Sequence, residues 1–112
     1  MIKSINKLKR MSENMQFIVT GYDGTDEKAS ERRFSVREEH LKLAESMKNQ
    51  GKFLCAGALL DDNENMIGSV MIVEFESRKE LDEWLEIEPY VTGDVWQTIE
   101  IKPFRVPTLF LT

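Results

Sequence analysis

Apolar positions along this chain follow two rhythms, short continuous runs and stripes at helical spacing. Residues 15–21 (Met-Gln-Phe-Ile-Val-Thr-Gly) are β-branched and aromatic and stop at a glycine, which predicts a first strand. Residues 22–30 are polar and turn-rich and predict a loop, with a helical turn running into Arg32 and Arg33. Ser35-Val-Arg-Glu38 has the form of a capping box, in which the serine hydroxyl accepts from the amide three residues on and the glutamate reaches back. It predicts a helix from Ser35 to Gln50, with Gly51 as the left-handed residue that ends it. Val36, His40, Leu43 and Met47 recur on one face of that helix, so His40 belongs to the apolar stripe and not to the charged side.

Further along, Phe53 to Leu60 and Met66 to Phe75 are apolar runs that predict strands two and three, separated by a polar turn over residues 61–65. Ser77-Arg-Lys-Glu80 is a second capping box, opening a helix whose apolar positions are Leu81, Trp84 and Leu85. Pro89 disfavours helical geometry at Glu88 and closes it. A last strand is expected over residues 95–102, with Ile99 and Ile101 on one face, ending at Pro103. Residues 1–14 read as a flexible leader, 15–105 as the domain and 106–112 as an apolar tail.

The order β-α-β-β-α-β predicts a ferredoxin-like α+β fold with an antiparallel four-stranded sheet. Two helices cover one face of such a sheet. Strands two and three are nevertheless apolar at both parities, for example Phe53, Cys55 and Leu59 against Leu54, Ala56 and Leu60. A sheet with one solvated face should alternate. The expected cover is a second copy of the sheet, giving a homodimer through the open face with the tail at its interface.

Composition narrows the possibilities. At 112 residues, 41% hydrophobic and 31% charged, the chain is one globular domain, not a disordered or membrane-spanning one. Its net charge is −5, and Lys3, Lys7, Lys9 and Arg10 all precede Met11, so the body is more acidic than the whole. Such a body gains nothing from counterion release, and no nucleic-acid partner is expected. The single Cys55 allows no intrachain disulfide and favours a cytoplasmic home. With one cysteine and one histidine, no zinc site can be built from those two types alone. No signal-length apolar run follows the basic start, so no membrane association is expected. Cys55, among apolar neighbours, reads as buried packing. The acidic turn at 61–65 is too short for an EF-hand loop and reads as solvated. His40 remains as the informative position, either a general acid–base, because an unperturbed imidazole titrates near neutral pH, or a core histidine satisfied by one hydrogen bond.

Four segments carry a resemblance to a known family. Arg37-Glu-Glu-His40-Leu41 resembles its helix-one motif, Gly51-Lys-Phe-Leu-Cys-Ala-Gly57 its glycine-bounded second strand, Glu88-Pro89-Tyr90 its Asp-Pro-Tyr, and Ile99-Glu-Ile-Lys-Pro-Phe104 its closing strand. In that order and spacing the chain resembles the YciI-like (YCII-related) family of the dimeric α/β-barrel superfamily. The resemblance implies homodimers in which a histidine and an acidic residue face a small cleft, and proton transfer on a small organic molecule without cofactor or metal. Relatives in the superfamily include a lactone dehydrochlorinase, muconolactone isomerases and cofactor-free monooxygenases. Carried onto this chain, His40 would move the proton, Glu88 would set its tautomer and charge, and Arg37 or Tyr90 would hold the substrate. This is a lyase- or isomerase-type expectation; the alternative is a non-catalytic small-ligand-binding or accessory protein of the same fold. Two positions depart from the pattern: Glu88 is one methylene longer than the usual aspartate, and Ala58 follows Gly57 where many relatives carry proline.

Overall fold

Strand β1 (Met15–Asp23) runs through the middle of the sheet, because both of its edges are paired. The structure, a computed structural model, describes residues 14–111; of the expected leader only Asn14 falls within it, and Thr112 of the tail falls outside. After β1 come helix α1 (Ala29–Asn49), β2 (Phe53–Leu60), β3 (Met66–Phe75), helix α2 (Arg78–Ile87), the short helix α3 (Pro89–Thr92), β4 (Trp96–Phe104) and a 3-10 turn (Thr108–Phe110). The sheet order is β2-β3-β1-β4 with every pair antiparallel, which is the ferredoxin-like α+β arrangement.

Register places Phe17, Val19, Gly21 and Asp23 of β1 on the helix-covered face. Val19 lies between Met71 and Ile101, and Phe17 lies opposite Val73. Met47 from α1, Phe53 from β2, and Leu81 and Trp84 from α2 close over them, all buried. Burial of each such side chain contributes about 1.5–3 kcal/mol, so this cluster is the main source of stability. Toward the far end of β1 the same face changes character: Asp23, Ser69 and Trp96 replace the aliphatic residues, and the core becomes polar there.

Helix α1 begins at Ala29, earlier than expected. Ser35 does not cap it; its hydroxyl donates to the Arg32 carbonyl at 2.8 Å instead. No glycine or proline interrupts residues 29–34, so the helix propagates back to Asp26, whose carbonyl accepts from the Ala29 amide at 3.1 Å. Its other end is as expected. Gly51 takes φ +75°, with Gly51 N–H donating to the Lys48 carbonyl and Lys52 N–H to the Met47 carbonyl, a Schellman closure. The second capping box is half made: Ser77 accepts from the Glu80 amide, while the Glu80 carboxylate accepts from Glu76 N–H.

Other differences are local. Pro103 does not end β4; it pairs opposite Phe17, and it is tolerated there because β4 is an edge strand whose outer amides need no partner. Tyr22 and Asp23 continue β1 with a register shift between them. Residues 61–65 form the expected solvated turn, with the Asp61 carboxylate accepting from the amides of Asn63 and Asn65. Cys55 is exposed, not buried, because it lies on the sheet face away from the helices. Ile18, Val70 and Ile72 share that face and are only partly covered, while Tyr22 and Phe104 are exposed on it. No helix among the described residues is long and apolar enough to cross a membrane.

The start of α1 is stabilised by Asp26, which accepts from both terminal nitrogens of Arg32 at 2.8 and 2.6 Å and from the Lys28 amide at 3.3 Å. The Arg32 hydrogen bonds hold its carboxyl well below the ordinary 3.8. A depressed folded value gives stability that is complete above the unfolded value and is lost as pH falls below it. The Asp26→Asn chain should therefore unfold at lower urea than wild type at pH 6, and the gap should shrink as pH drops below 3.8.

Candidate functional site

Glu88 is the residue on which the site is assembled. The following proline holds it at φ −68°, ψ 119°, so α2 ends there and α3 starts, and Glu88 serves both helices. Its amide donates to the Trp84 carbonyl at 3.0 Å, and its carbonyl accepts from Val91 and Thr92 at 2.8 and 2.9 Å. Its side chain has 0% exposure. One carboxylate oxygen, Oε1, accepts from the Tyr90 amide at 3.2 Å and pairs with His40 Nδ1; the other, Oε2, accepts from the Trp84 indole N–H at 3.1 Å.

His40 arrives from α1, 48 positions earlier in sequence. It is buried in the apolar stripe, as its helical spacing requires. A carboxylate can only accept, so Nδ1 carries the proton in this pair and the lone pair of a neutral ring sits on Nε2. The extra methylene of glutamate does not prevent the contact. The imidazole stacks on the Tyr90 ring, with centroids 3.8 Å apart and planes 12° from parallel. Trp96 presents an edge to both rings, 6.2 Å from His40 and 5.6 Å from Tyr90. Trp96 in turn lies over Gly21, where a Cβ would meet the indole at 2.4 Å, so only glycine fits beneath it.

Burial pushes the Tyr90 hydroxyl above its ordinary value, partly opposed by the charges of Arg33 and Arg37. Tyr90 therefore stays protonated at neutral pH and can donate, not act as a base. Arg37, on α1 between Arg33 and His40, is half-buried and makes no hydrogen bond or ion pair among the described residues.

The sequence does not mark Arg33 or Asp23, yet both sit beside this group. Arg33 Nη1 donates to both Asp23 oxygens at 2.9 and 3.0 Å, and Nη2 donates to the Gly68 carbonyl at 3.1 Å and to Ser69 Oγ at 2.8 Å. Its guanidinium carbon is 4.6 Å from the Tyr90 ring centroid. Desolvation pushes the Asp23 carboxyl up, and the Arg33 charge pulls it back in part. The missed signal was spacing: Arg33, His40 and Met47 form one buried row at seven-residue intervals. A helix begun at Ser35 excludes Arg33 from that row. A shallow concavity of about 800 Å³ opens beside Asp23, with Asp26, Arg32, Asp94, Gln97 and Thr98 on its walls; His40 and Glu88 do not line it. Among the described residues no cluster of His, Cys, Asp and Glu is placed to hold a metal ion.

A single buried carboxylate holding a histidine on this fold defines a small α+β domain with a His–Glu pair. The YCII-related domain model matches residues 15–105, and the chain belongs to that family. It is 32% identical over 97 residues to Protein YciI of Escherichia coli and to that of Shigella flexneri, covering 81% of this chain and 97% of each relative. An uncharacterised protein of Haemophilus influenzae is 32% identical over 81 residues, covering 67% of this chain and 83% of that protein. Among solved structures, 5-chloro-2-hydroxyhydroquinone dehydrochlorinase of Burkholderia phenoliruptrix, in complex with 2,5-dihydroxybenzoquinone, superposes with a TM-score of 0.73. That match has 22% identity and covers 85% of this chain and 98% of that one, which establishes the shared fold.

The Trp84 indole is the sole described donor to Glu88 Oε2. Trp84→Phe keeps an aromatic ring and leaves that oxygen buried without a partner. The expected cost is about 1–3 kcal/mol in urea unfolding at neutral pH.

Proposed function

We propose that this protein is an acid–base enzyme of lyase or isomerase type, acting on a small organic molecule through His40 and Glu88 with no cofactor. The observation that carries this reading is the pairing of His40 Nδ1 with a carboxylate that is itself fully buried and fixed by Trp84 and the Tyr90 amide. That arrangement fixes the tautomer, directs the Nε2 lone pair away from Glu88, and stabilises the imidazolium formed when Nε2 takes a proton. In such a reaction Nε2 removes a proton from carbon or oxygen of the substrate, and the electron pair left behind either expels a leaving group or forms an enolate. The ring then returns the proton to the enolate at another atom in an isomerisation, or releases it to solvent alongside the departed leaving group in an elimination. Arg37, which has no hydrogen-bond or ion-pair partner among the described residues, would face a negatively charged oxygen of the substrate, and the protonated Tyr90 would donate to another. A dehydrochlorinase on the same fold fits proton removal followed by loss of chloride.

In this reading a second copy covers the open sheet face, where Ile18, Val70 and Ile72 are only half-buried, and the exposed Leu109 and Phe110 of the tail add to the interface. The exposed Cys55 thiol suits a reducing, cytoplasmic compartment.

The test is proton exchange. Small keto acids, lactones and halogenated hydroxyquinones are incubated with the protein in D2O, and deuterium incorporation or halide release is followed. An active compound should lose about 10²–10⁴ in rate with His40→Asn or Glu88→Gln, both folded. Binding without exchange or elimination of any compound would leave the small-ligand-binding reading in its place. For the assembly, sedimentation should show a dimer for the wild type and a monomer for Ile72→Lys, since a charge at the centre of a buried apolar face is not compensated.

A further inference from the structure

One hydrogen bond fixes one atom of an imidazole, not the plane of its ring. Glu88 fixes Nδ1 of His40, while the direction of Nε2 depends on what lies against the ring face. That neighbour is Tyr90, stacked at 3.8 Å and within 12° of parallel. The plane of Tyr90 therefore sets the aim of the lone pair that the proposed chemistry uses.

Tyr90 is in turn held by a buried cation. The guanidinium of Arg33 lies 4.6 Å from its ring centroid, and Arg33 is only 3% exposed. The cation is anchored to two strands at once, to Asp23 at the end of β1 and to Gly68 and Ser69 at the start of β3. Ser69 Oγ also lies 3.4 Å from the Trp96 indole nitrogen as its acceptor, so the same hydroxyl locates the ring that presents its edge to both His40 and Tyr90.

Stability alone does not account for this arrangement. A buried ion pair seldom stabilises more than apolar residues of the same volume would. Arg33 also leaves its Nε–H buried without an acceptor among the described residues, a further cost. Apolar residues in place of both Arg33 and Asp23 would fill the same end of the core without either penalty, but they would give Tyr90 no cation to stack against.

We propose that Arg33 is a positioning residue, which orients Tyr90 and, through the stack, the imidazole of His40. This rests on the reading of His40 as the group that moves the proton. Arg33 touches neither His40 nor Glu88 in the hydrogen-bond network, and its effect passes through the Tyr90 ring and through Ser69.

The chain has one histidine, so its ring protons can be followed without assignment. Proton NMR of the full chain is recorded for wild type, Arg33→Met, Arg33→Lys and Ser69→Ala, with circular dichroism to establish folding. Stacking on Tyr90 should place the His40 ring protons upfield of an unstacked histidine. Arg33→Met should remove most of that displacement, and Ser69→Ala should reduce it. Arg33→Lys should restore it only in part, because one ammonium cannot bridge Asp23 and Ser69 in the geometry of the guanidinium fork. Should Arg33→Met fail to fold, Ser69→Ala and Arg33→Lys decide. His40 resonances unmoved in the folded variants, with only the unfolding midpoint lowered, would overturn the proposal and leave Arg33 as a structural residue. Failure of the acid–base reading would be distinct: the resonances would still move, while no compound exchanged a proton.

Discussion

A carboxylate with no exposed surface must be surrounded by hydrogen-bond donors, or its burial costs more than the fold can offset. Glu88 meets that condition through groups from three helices, the indole of Trp84 on α2, the amide of Tyr90 on α3 and the imidazole of His40 on α1. Each donor is therefore placed by the need to satisfy one side chain. The proline that follows contributes by breaking the helix at Glu88, which lets the residue turn inward and cap the next short helix. Remove the carboxylate and the three helices lose their common point, although the sheet beneath them keeps its own hydrogen bonds.

The helix-covered face of the sheet is graded, and the gradient positions the site. At one end Phe17, Val19, Val73 and Phe75 pack against Met47, Leu81 and Trp84 in an apolar cluster that supplies the stability. At the other, Asp23, Ser69 and Trp96 carry polar atoms that must be paired; Arg33 descends from α1 to pair Asp23 and Ser69, and the Ser69 hydroxyl accepts from Trp96. His40 and Tyr90 lie where the two regimes meet. An imidazole there is dry enough to interact strongly with its carboxylate, while Arg37 has no hydrogen-bond or ion-pair partner among the described residues.

Family membership rests on the match over residues 15–105 and on relatives at 32% identity, while the fold neighbour at 22% identity establishes architecture. With glutamate at position 88, where the family resemblance leads to aspartate, the histidine contact is kept.

Local pattern was enough to determine the order of elements, the four strands, the end of α1 at Gly51 and the break before Pro89, because each depends on interactions within a few residues. His40 was visible as a histidine inside an apolar stripe. Glu88 was visible only through family resemblance, since nothing in its neighbours distinguishes it from a solvent-exposed glutamate ahead of a proline. Local pattern also misplaced the start of α1: a serine followed three residues later by a glutamate fits a cap, but the helix runs on through residues 29–34, where no glycine or proline interrupts it, and so carries Arg33 to partners on two strands distant in sequence. The exposure of Cys55 and the pairing of Pro103 likewise followed from which sheet face and which edge each residue occupied. The tertiary structure alone decided that Trp96 meets His40 and Tyr90 and that Arg33, with Asp23 and Ser69, lies beside the Tyr90 ring, because those contacts join residues up to several tens of positions apart and arise only when the sheet brings the ends of β1, β3 and β4 together beneath α1.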